Sequence, residues 1–137
     1  EKKNNKIRNI IKSYNKNIEI FKASYKPTNL NKINLKKKYL FFCGIGNPQE
    51  FENTLLKYKF KIKRKIIYAD HYQIPNQDIK EIKQIAKKEK LNIITTEKDY
   101  FRLRRTQRKG VDVLKVKLKI DNLNKLKKIL LNTNEKN

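Results

Sequence analysis

Residues 41–51 read Phe-Phe-Cys-Gly-Ile-Gly-Asn-Pro-Gln-Glu-Phe, and they predict a buried strand, a tight turn and the start of a helix. The apolar run 39–43 is typical of a strand that is covered on both faces. Asn47 is a suitable helix N-cap, and Pro48 then falls at the first helical position, where its missing N–H costs nothing. Glu50, three residues after the cap, completes a capping box.

The turn contains two glycines, Gly44 and Gly46, which permit backbone angles that a side chain would forbid. Free N–H groups at such a helix start suit an anion or a phosphate, although the simpler interpretation is a turn that only connects a strand to a helix. A dinucleotide-binding fingerprint fits only in part, because Gln49 occupies the third glycine position. The phosphate loop G-x-x-x-x-G-K-[ST] does not occur anywhere in the sequence.

Hydrophobic periodicity predicts alternating strands and helices along the rest of the chain. A capping box at Asp78 and Glu81 marks one helix start. The predicted strands are 17–25, 39–44, 60–68, 91–95 and 111–120, and the predicted helices are 1–16, 48–58, 78–89, 97–106 and 122–131. This order predicts an α/β fold, a Rossmann-like three-layer arrangement with a mostly parallel sheet and helices on both faces.

The domain organisation follows from the same pattern. A short helix and a linker strand occupy 1–38, the α/β domain occupies 39–131, and the polar end 132–137 is predicted to be frayed.

The net charge of +23 at pH 7 has two interpretations. Such charge favours nucleic acid or an anionic membrane surface. It could instead reflect a compositional bias toward lysine, asparagine and isoleucine, because the lysines are spread along the chain. Arg102, Arg104, Arg105 and Arg108 form the one arginine cluster, and on a helix it would present a solvated or phosphate-binding face.

Cys43 is the single cysteine, so the chain has no internal disulfide and no thiolate metal site. In an apolar run it is expected to be a buried, inert thiol, which is consistent with a reducing, cytosolic setting. The sequence has neither an apolar run of the roughly 18 residues that a membrane span requires nor a visible signal peptide.

Three polar segments follow three successive predicted strands, at the sheet edge where α/β proteins bind ligands. Asp70 and His71 follow the second strand, and 95–99, Thr-Thr-Glu-Lys-Asp, follow the third. His71 is the only histidine, and an imidazole can accept or donate a proton near neutral pH. Residues 95–99 could instead be a helix capped by Thr96 with exposed charges.

The segments 44–51, 68–72 and 95–99, in this order, resemble the C-terminal half of the tetraacyldisaccharide 4'-kinases, the lipid A 4'-kinases of Gram-negative bacteria. Residues 20–27 resemble the strand that leads into that domain, so the similarity runs from about 18 to about 118. In that family, the histidine at the position of His71 works with an aspartate of the N-terminal domain to activate the sugar 4'-hydroxyl.

The resemblance implies a kinase that uses ATP and Mg²⁺, both held mainly by an N-terminal P-loop domain. It implies a lipid A disaccharide precursor as substrate, an anionic membrane surface as partner, and a peripheral position on the cytoplasmic face of the inner membrane. No specific nucleic acid and no metal ligand in this chain are expected. Because the sequence begins with Glu1 and lacks the phosphate loop, we expect part of a longer protein that is inactive alone.

The candidate site residues fall into two groups. His71 and Asp70 are the candidate catalytic residues. The residues expected near substrate or nucleotide are Gly44, Gly46, Asn47, Thr95, Thr96, Glu97 and Lys98.

Two other classes of protein remain open on sequence grounds. A small basic nucleic-acid-binding protein would use the positive charge and seven tyrosines for stacking. The second alternative is a dinucleotide-binding enzyme, and the glutamine at position 49 argues against this hypothesis.

Overall fold

The computed structural model describes residues 2–134, and it describes the side chains of residues 5–132. Its helices are α1 (Lys2–Tyr14), α2 (Pro48–Lys57), α3 (Asn76–Lys88), α4 (Glu97–Arg102) and α5 (Leu123–Asn134). Its strands are β1 (Ala23–Pro27), β2 (Lys38–Cys43), β3 (Lys61–Ile67), β4 (Asn92–Thr96), β5 (Val111–Leu114) and β6 (Val116–Ile120). A short 3₁₀ turn, Leu30–Lys32, lies between β1 and β2.

Four strands form one sheet in the order β3-β2-β4-β5, and every neighbouring pair is parallel. Strands β1 and β6 form a separate two-stranded sheet. The predicted α/β class with a mostly parallel sheet and helices on both faces is therefore confirmed. A parallel sheet brings the carboxyl ends of its strands to one edge, which places the three polar segments together.

Strand β2 is the centre of two hydrophobic cores, one on each face of the sheet. Phe41 points to a core that contains Phe51 and Leu55 of α2. Phe42 points to the opposite core, which contains Ile82 of α3. Because successive side chains of a strand face opposite sides, the two cores together need an apolar side chain at each β2 position from Tyr39 to Cys43. This explains why residues 39–43 form an unbroken apolar run.

The chain divides into two compact units. One unit, Tyr25–Lys117, contains the four-stranded sheet with α2, α3 and α4. The other consists of the residues up to Ser24 and from Leu118 onward, and it contains α1 and α5. Within this second unit, Lys125 forms an ion pair with Glu19, and the Asp121 N–H donates to the Lys22 carbonyl.

The division predicted from sequence, with boundaries at 38 and 131, stays a prediction. The tail predicted at 132–137 begins inside α5, which continues to Asn134, and residues 135–137 lie outside the described residues.

Helix α4 is shorter than predicted, since it ends at Arg102 rather than at 106. The next residue, Leu103, adopts an extended conformation and is buried in the core, which ends the helix. Gln107 is also buried, and its side-chain oxygen accepts the Arg104 N–H at 2.6 Å. The predicted helix 97–106 would have contained Arg102, Arg104 and Arg105, but only Arg102 lies on α4.

The strand predicted at 111–120 is divided into β5 and β6, which belong to different sheets. The cause is Asn29, whose side-chain oxygen accepts the Lys115 N–H at 2.9 Å and whose amide donates to the Val113 carbonyl at 2.8 Å. A side chain thus occupies hydrogen-bonding positions that a continuous ladder would use.

Two other local predictions differ from the structure. Helix α3 begins at Asn76, so Asp78 lies in the first turn of the helix rather than at its N-cap. The Asp78 carboxylate accepts a hydrogen bond from the Tyr72 hydroxyl at 3.3 Å. The strand predicted at 17–25 is shifted, because β1 covers Ala23–Pro27. Within the described part of the chain, no helix combines the length and hydrophobicity needed to cross a membrane.

Cys43 is fully buried at the end of β2. Burial, together with the negative charges of Asp99 and Glu52, raises the pKa of this thiol to about 11. Since the thiolate is the reactive species, we expect no labelling of the native chain by a disulfide reagent at pH 8. One equivalent should react after unfolding in guanidinium, and a thiol count on native and denatured samples checks this. Rapid labelling of the native chain would show that the end of β2 opens to solvent.

Candidate functional site

Three connections meet at the carboxyl edge of the sheet: the β2–α2 turn, the loop after β3 and the β4–α4 junction. Sequence correctly predicts the start of α2. Pro48 is the first residue of the helix, and the Asn47 side chain accepts the Glu50 N–H at 3.2 Å. This cap fixes the direction of the turn that contains the two glycines.

The two glycines of the turn allow the loop after β3 to approach closely, and they are not needed for an unusual backbone angle. This corrects the expectation from sequence. Among the described residues, Gly110 is the glycine with a positive φ angle. Gly44 and Gly46 do not adopt a positive φ. A Cβ at Gly44 would lie 3.3 Å from the Ala69 carbonyl oxygen, and one at Gly46 would lie 3.2 Å from an Asp70 carboxylate oxygen. The turn therefore packs directly against the loop after β3.

Asp99 is the buried centre of this edge, and its side chain is 0% exposed. Its Oδ2 accepts the Gly44 N–H at 3.0 Å and the Thr96 hydroxyl at 2.7 Å. Thr96 in turn caps α4, because its Oγ1 accepts the Asp99 N–H at 3.1 Å. A buried carboxylate with several donors is a rigid element, since removing any of them leaves charge unsatisfied.

Arg102, at the end of α4, connects Asp99 to the histidine loop. Its Nη1 donates to Asp99 Oδ1 at 3.2 Å and to the Gly44 carbonyl at 3.0 Å. Its Nη2 lies 3.2 Å from Nδ1 of His71. One guanidinium thus bridges the buried carboxylate, the glycine turn and the imidazole.

Asp70 and His71 lie beside each other at the open side of this cluster. Asp70 Oδ1 accepts the His71 N–H at 2.9 Å and Lys98 Nζ at 3.3 Å, while its Oδ2 lies 3.7 Å from His71 Nε2. Partial desolvation acts to raise the pKa of Asp70, but the hydrogen bonds from Lys98 and the His71 N–H leave this pKa below its ordinary value. The His71 backbone has φ 64°, in the left-handed region, and its side chain is 76% exposed.

The remaining predicted residues differ in their access to a ligand. Thr95 is fully buried and its hydroxyl donates to the Phe42 carbonyl at 2.7 Å, so this group is used within the sheet. Glu97 reaches the surface, with Lys115 Nζ 3.8 Å from its carboxylate. The predicted residues Asp70, His71 and Lys98 are brought together with Gly46, whereas Thr95 is kept apart from them.

A cavity of about 390 Å³ opens on the α2 side of the same edge. Its lining is mostly apolar. The apolar residues include Tyr25, Ile45, Phe51, Leu114 and Val116, and the polar residues include Asn47, Glu50, Thr96, Glu97 and Lys98. Lys98 is shared between this cavity and the contact with Asp70, so a ligand in the cavity would lie next to the histidine cluster.

The donor set at this edge does not fit a bound metal ion. Among residues whose side chains are described, no group of three or more His, Cys, Asp or Glu side chains could hold one. Asp99 is saturated by Gly44, Thr96 and Arg102, and Asp70 is paired with Lys98.

Sequence reasoning missed Asp99 and Arg102 as the organisers of the site. The sequence pattern places Asp99 only within the segment 95–99, without a role of its own, and Arg102 only in an arginine cluster. Gly44 and Asp99 are 55 residues apart, and no local pattern indicates their contact. The available signal was a carboxylate three residues after a threonine cap at the end of an apolar strand.

The chain is thus a parallel α/β domain whose candidate site, with cations, a carboxylate and a histidine, lies at the carboxyl edge of the sheet, where such folds bind ligands. Comparison with known proteins agrees with this class. The tetraacyldisaccharide-1-P 4'-kinase family model matches residues 1–135. The chain belongs to this family.

Individual relatives give the same assignment. The chain is 40% identical over 131 residues to the tetraacyldisaccharide 4'-kinase of Pelagibacter ubique (strain HTCC1062), covering 96% of this chain and 42% of the relative. The tetraacyldisaccharide 4'-kinase of Rickettsia akari (strain Hartford) is 35% identical over 120 residues, which cover 87% of this chain and 35% of the relative. The chain thus spans about two-fifths or less of these relatives' length and matches their C-terminal part. No solved structure matches it significantly.

Proposed function

We propose that this chain is the C-terminal α/β part of a kinase that transfers the γ-phosphate of ATP to the 4'-hydroxyl of a tetraacyl glucosamine disaccharide 1-phosphate. The observation that carries the proposal is the family match over residues 1–135, combined with a histidine cluster at the ligand-binding edge of the sheet. In this reaction His71 holds a proton near the reacting hydroxyl, and Asp70 and Lys98 fix its loop.

ATP and Mg²⁺ are assigned to residues outside this chain. The sequence contains no phosphate loop, and the carboxylates at the sheet edge are already paired with cations. Phosphoryl transfer depends mainly on positioning and on charge neutralisation, and metal ions supply much of that neutralisation. This chain contributes the histidine cluster and cationic side chains such as Lys98.

The proposal is tested with radiolabelled ATP and tetraacyldisaccharide 1-phosphate. We expect phosphate transfer by a protein that joins this chain to a P-loop domain like that of its longer relatives, and none by purified residues 1–137. Turnover by residues 1–137 alone would contradict the division of labour. A joined protein that folds and binds ATP but leaves the disaccharide unmodified would contradict the kinase assignment.

The proposed partner is the N-terminal P-loop domain of the same protein. The unit formed by α1 and α5 exposes large apolar side chains: Tyr14 is 89% exposed, Leu131 64% and Leu130 57%. Large apolar side chains exposed on both helices support a surface there that another protein segment covers. Hydrogen exchange compared between the isolated chain and the joined protein should show new protection in both helices, and unchanged exchange there would oppose this assignment.

A peripheral position on the cytoplasmic face of an anionic membrane is the proposed location. The charge of +23 supports it, because each lysine or arginine near an anionic surface adds about 1 kcal/mol of attraction. We expect the chain to co-sediment with phosphatidylglycerol vesicles at low salt and to be released as salt rises. Phosphatidylcholine vesicles are the control. Equal binding to both vesicle types would contradict an electrostatic attachment, and tighter, sequence-selective binding to a nucleic acid would favour that other class of partner.

A further inference from the structure

The contacts of Arg102 determine which ring nitrogen of His71 can carry a proton. A guanidinium has N–H donors only and stays protonated in proteins. With Arg102 Nη2 at 3.2 Å from His71 Nδ1, the imidazole nitrogen must be the acceptor and therefore carries no hydrogen. The neutral ring then has its hydrogen on Nε2, the nitrogen that faces Asp70 Oδ2 at 3.7 Å.

Arg102 itself has little freedom to move. Its other terminal nitrogen is held by the Asp99 carboxylate and by the Gly44 carbonyl, and its side chain is 21% exposed. Asp99 is fixed in turn by the Gly44 N–H and the Thr96 hydroxyl. The orientation of the guanidinium is thus set by the fully buried carboxylate and the backbone, while the ring it contacts is 76% exposed.

We infer that Arg102 is a positioning residue that, anchored by Asp99, holds His71 in the Nε2–H tautomer with its ring turned toward Asp70. His71 presents a hydrogen-bond donor at Nε2, and Nδ1 is closed to a substrate proton while Arg102 stays in place. The relevance of this tautomer to catalysis rests on the proposed kinase function, but the tautomer itself does not.

The test uses nitrogen-15 NMR of the ring, and His71 is the only histidine in the chain, so one imidazole signal set is expected. In the unmodified chain above neutral pH, Nδ1 should resonate as a bare nitrogen and Nε2 as a protonated one. R102M, which keeps the aliphatic stem and loses the donor, should move the Nδ1 signal toward the protonated range as the second tautomer becomes populated. A protonated Nδ1 in the unmodified chain would overturn the inference, even if every variant failed to fold.

Two further variants separate positioning from general disturbance. R105M removes an exposed arginine three residues away and should leave both ring signals unchanged. R102K should restore the signals only in part, because an ammonium lacks the planar fork that reaches Asp99 and His71 together. Identical ring signals in R102M and the unmodified chain would also overturn the inference. Kinase activity is measured in a separate assay of the joined protein. The NMR result therefore stands even if the kinase assignment fails.

Discussion

Replacing His71 by alanine in the protein that joins this chain to a P-loop domain should lower kcat by about 10²- to 10⁴-fold, the usual contribution of a positioned acid–base group. His71 lies at the carboxyl edge of the sheet, next to Asp70 and within hydrogen-bond distance of Arg102. The ring is mostly exposed, so its removal should leave the free energy of unfolding nearly unchanged. Steady-state kinetics with the disaccharide and ATP, together with urea denaturation, check both statements.

Gln73→Ala is the matched control for the histidine variant. Gln73 is exposed in the same loop, two residues away, and it should retain full turnover. A His71→Ala protein that keeps its kcat would remove His71 from the proposed mechanism, and a rise in KM alone would assign it to substrate binding rather than to proton transfer.

Replacing Asp99 by asparagine should destabilise the isolated chain by about 3 kcal/mol, near the lower limit for breaking a buried ion pair. Asparagine has the size of aspartate, but its NH₂ group replaces an acceptor oxygen and must face one of the donors that Asp99 binds. If the oxygen faces Gly44 and Thr96, the NH₂ faces Arg102, and the reverse orientation leaves the Gly44 N–H unpaired. An unpaired buried donor costs about 1–3 kcal/mol. The partial exposure of Arg102 reduces the total, because water can reach the released guanidinium.

Urea denaturation of residues 1–137 measures this effect, and Glu81→Gln provides the control. Glu81 is exposed on α3 and accepts a hydrogen bond from Gln77, so its neutralisation should change the free energy of unfolding by less than about 0.5 kcal/mol. Equal stability of Asp99→Asn and the unmodified chain would mean that the carboxylate does not hold the β2–α2 turn to α4.

Local chemistry was enough to predict the centre of the fold. The apolar run before Gly44 identified β2, and Asn47 with Pro48 identified the start of α2 within one residue. These features depend on neighbouring residues only: a strand buried on both faces, an N-cap and a proline at the first helical position. The same holds for Thr96, whose capping of α4 was predicted from the residues around it.

Predictions failed where a distant residue competes with a local pattern. The apolar alternation through 111–120 predicted one strand, but the side chain of Asn29 divides it. The sequence pattern predicted a helix that continues to residue 106, but burial of Leu103 ends it at Arg102. In both cases the competing contact is a tertiary one, which local propensity does not describe.

The sequence by itself determined the order of strands and helices, the edge at which the polar segments meet, and His71 as the one imidazole at that edge. Only the tertiary structure decided how that imidazole is held. Asp99 contacts Gly44, which lies 55 residues away in the sequence, and Arg102 contacts His71, which lies 31 residues away. Such contacts arise because folding removes a carboxylate from water and it must find donors wherever the fold supplies them. The sequence pattern specifies which groups are available, and the packing of the sheet specifies which of them meet.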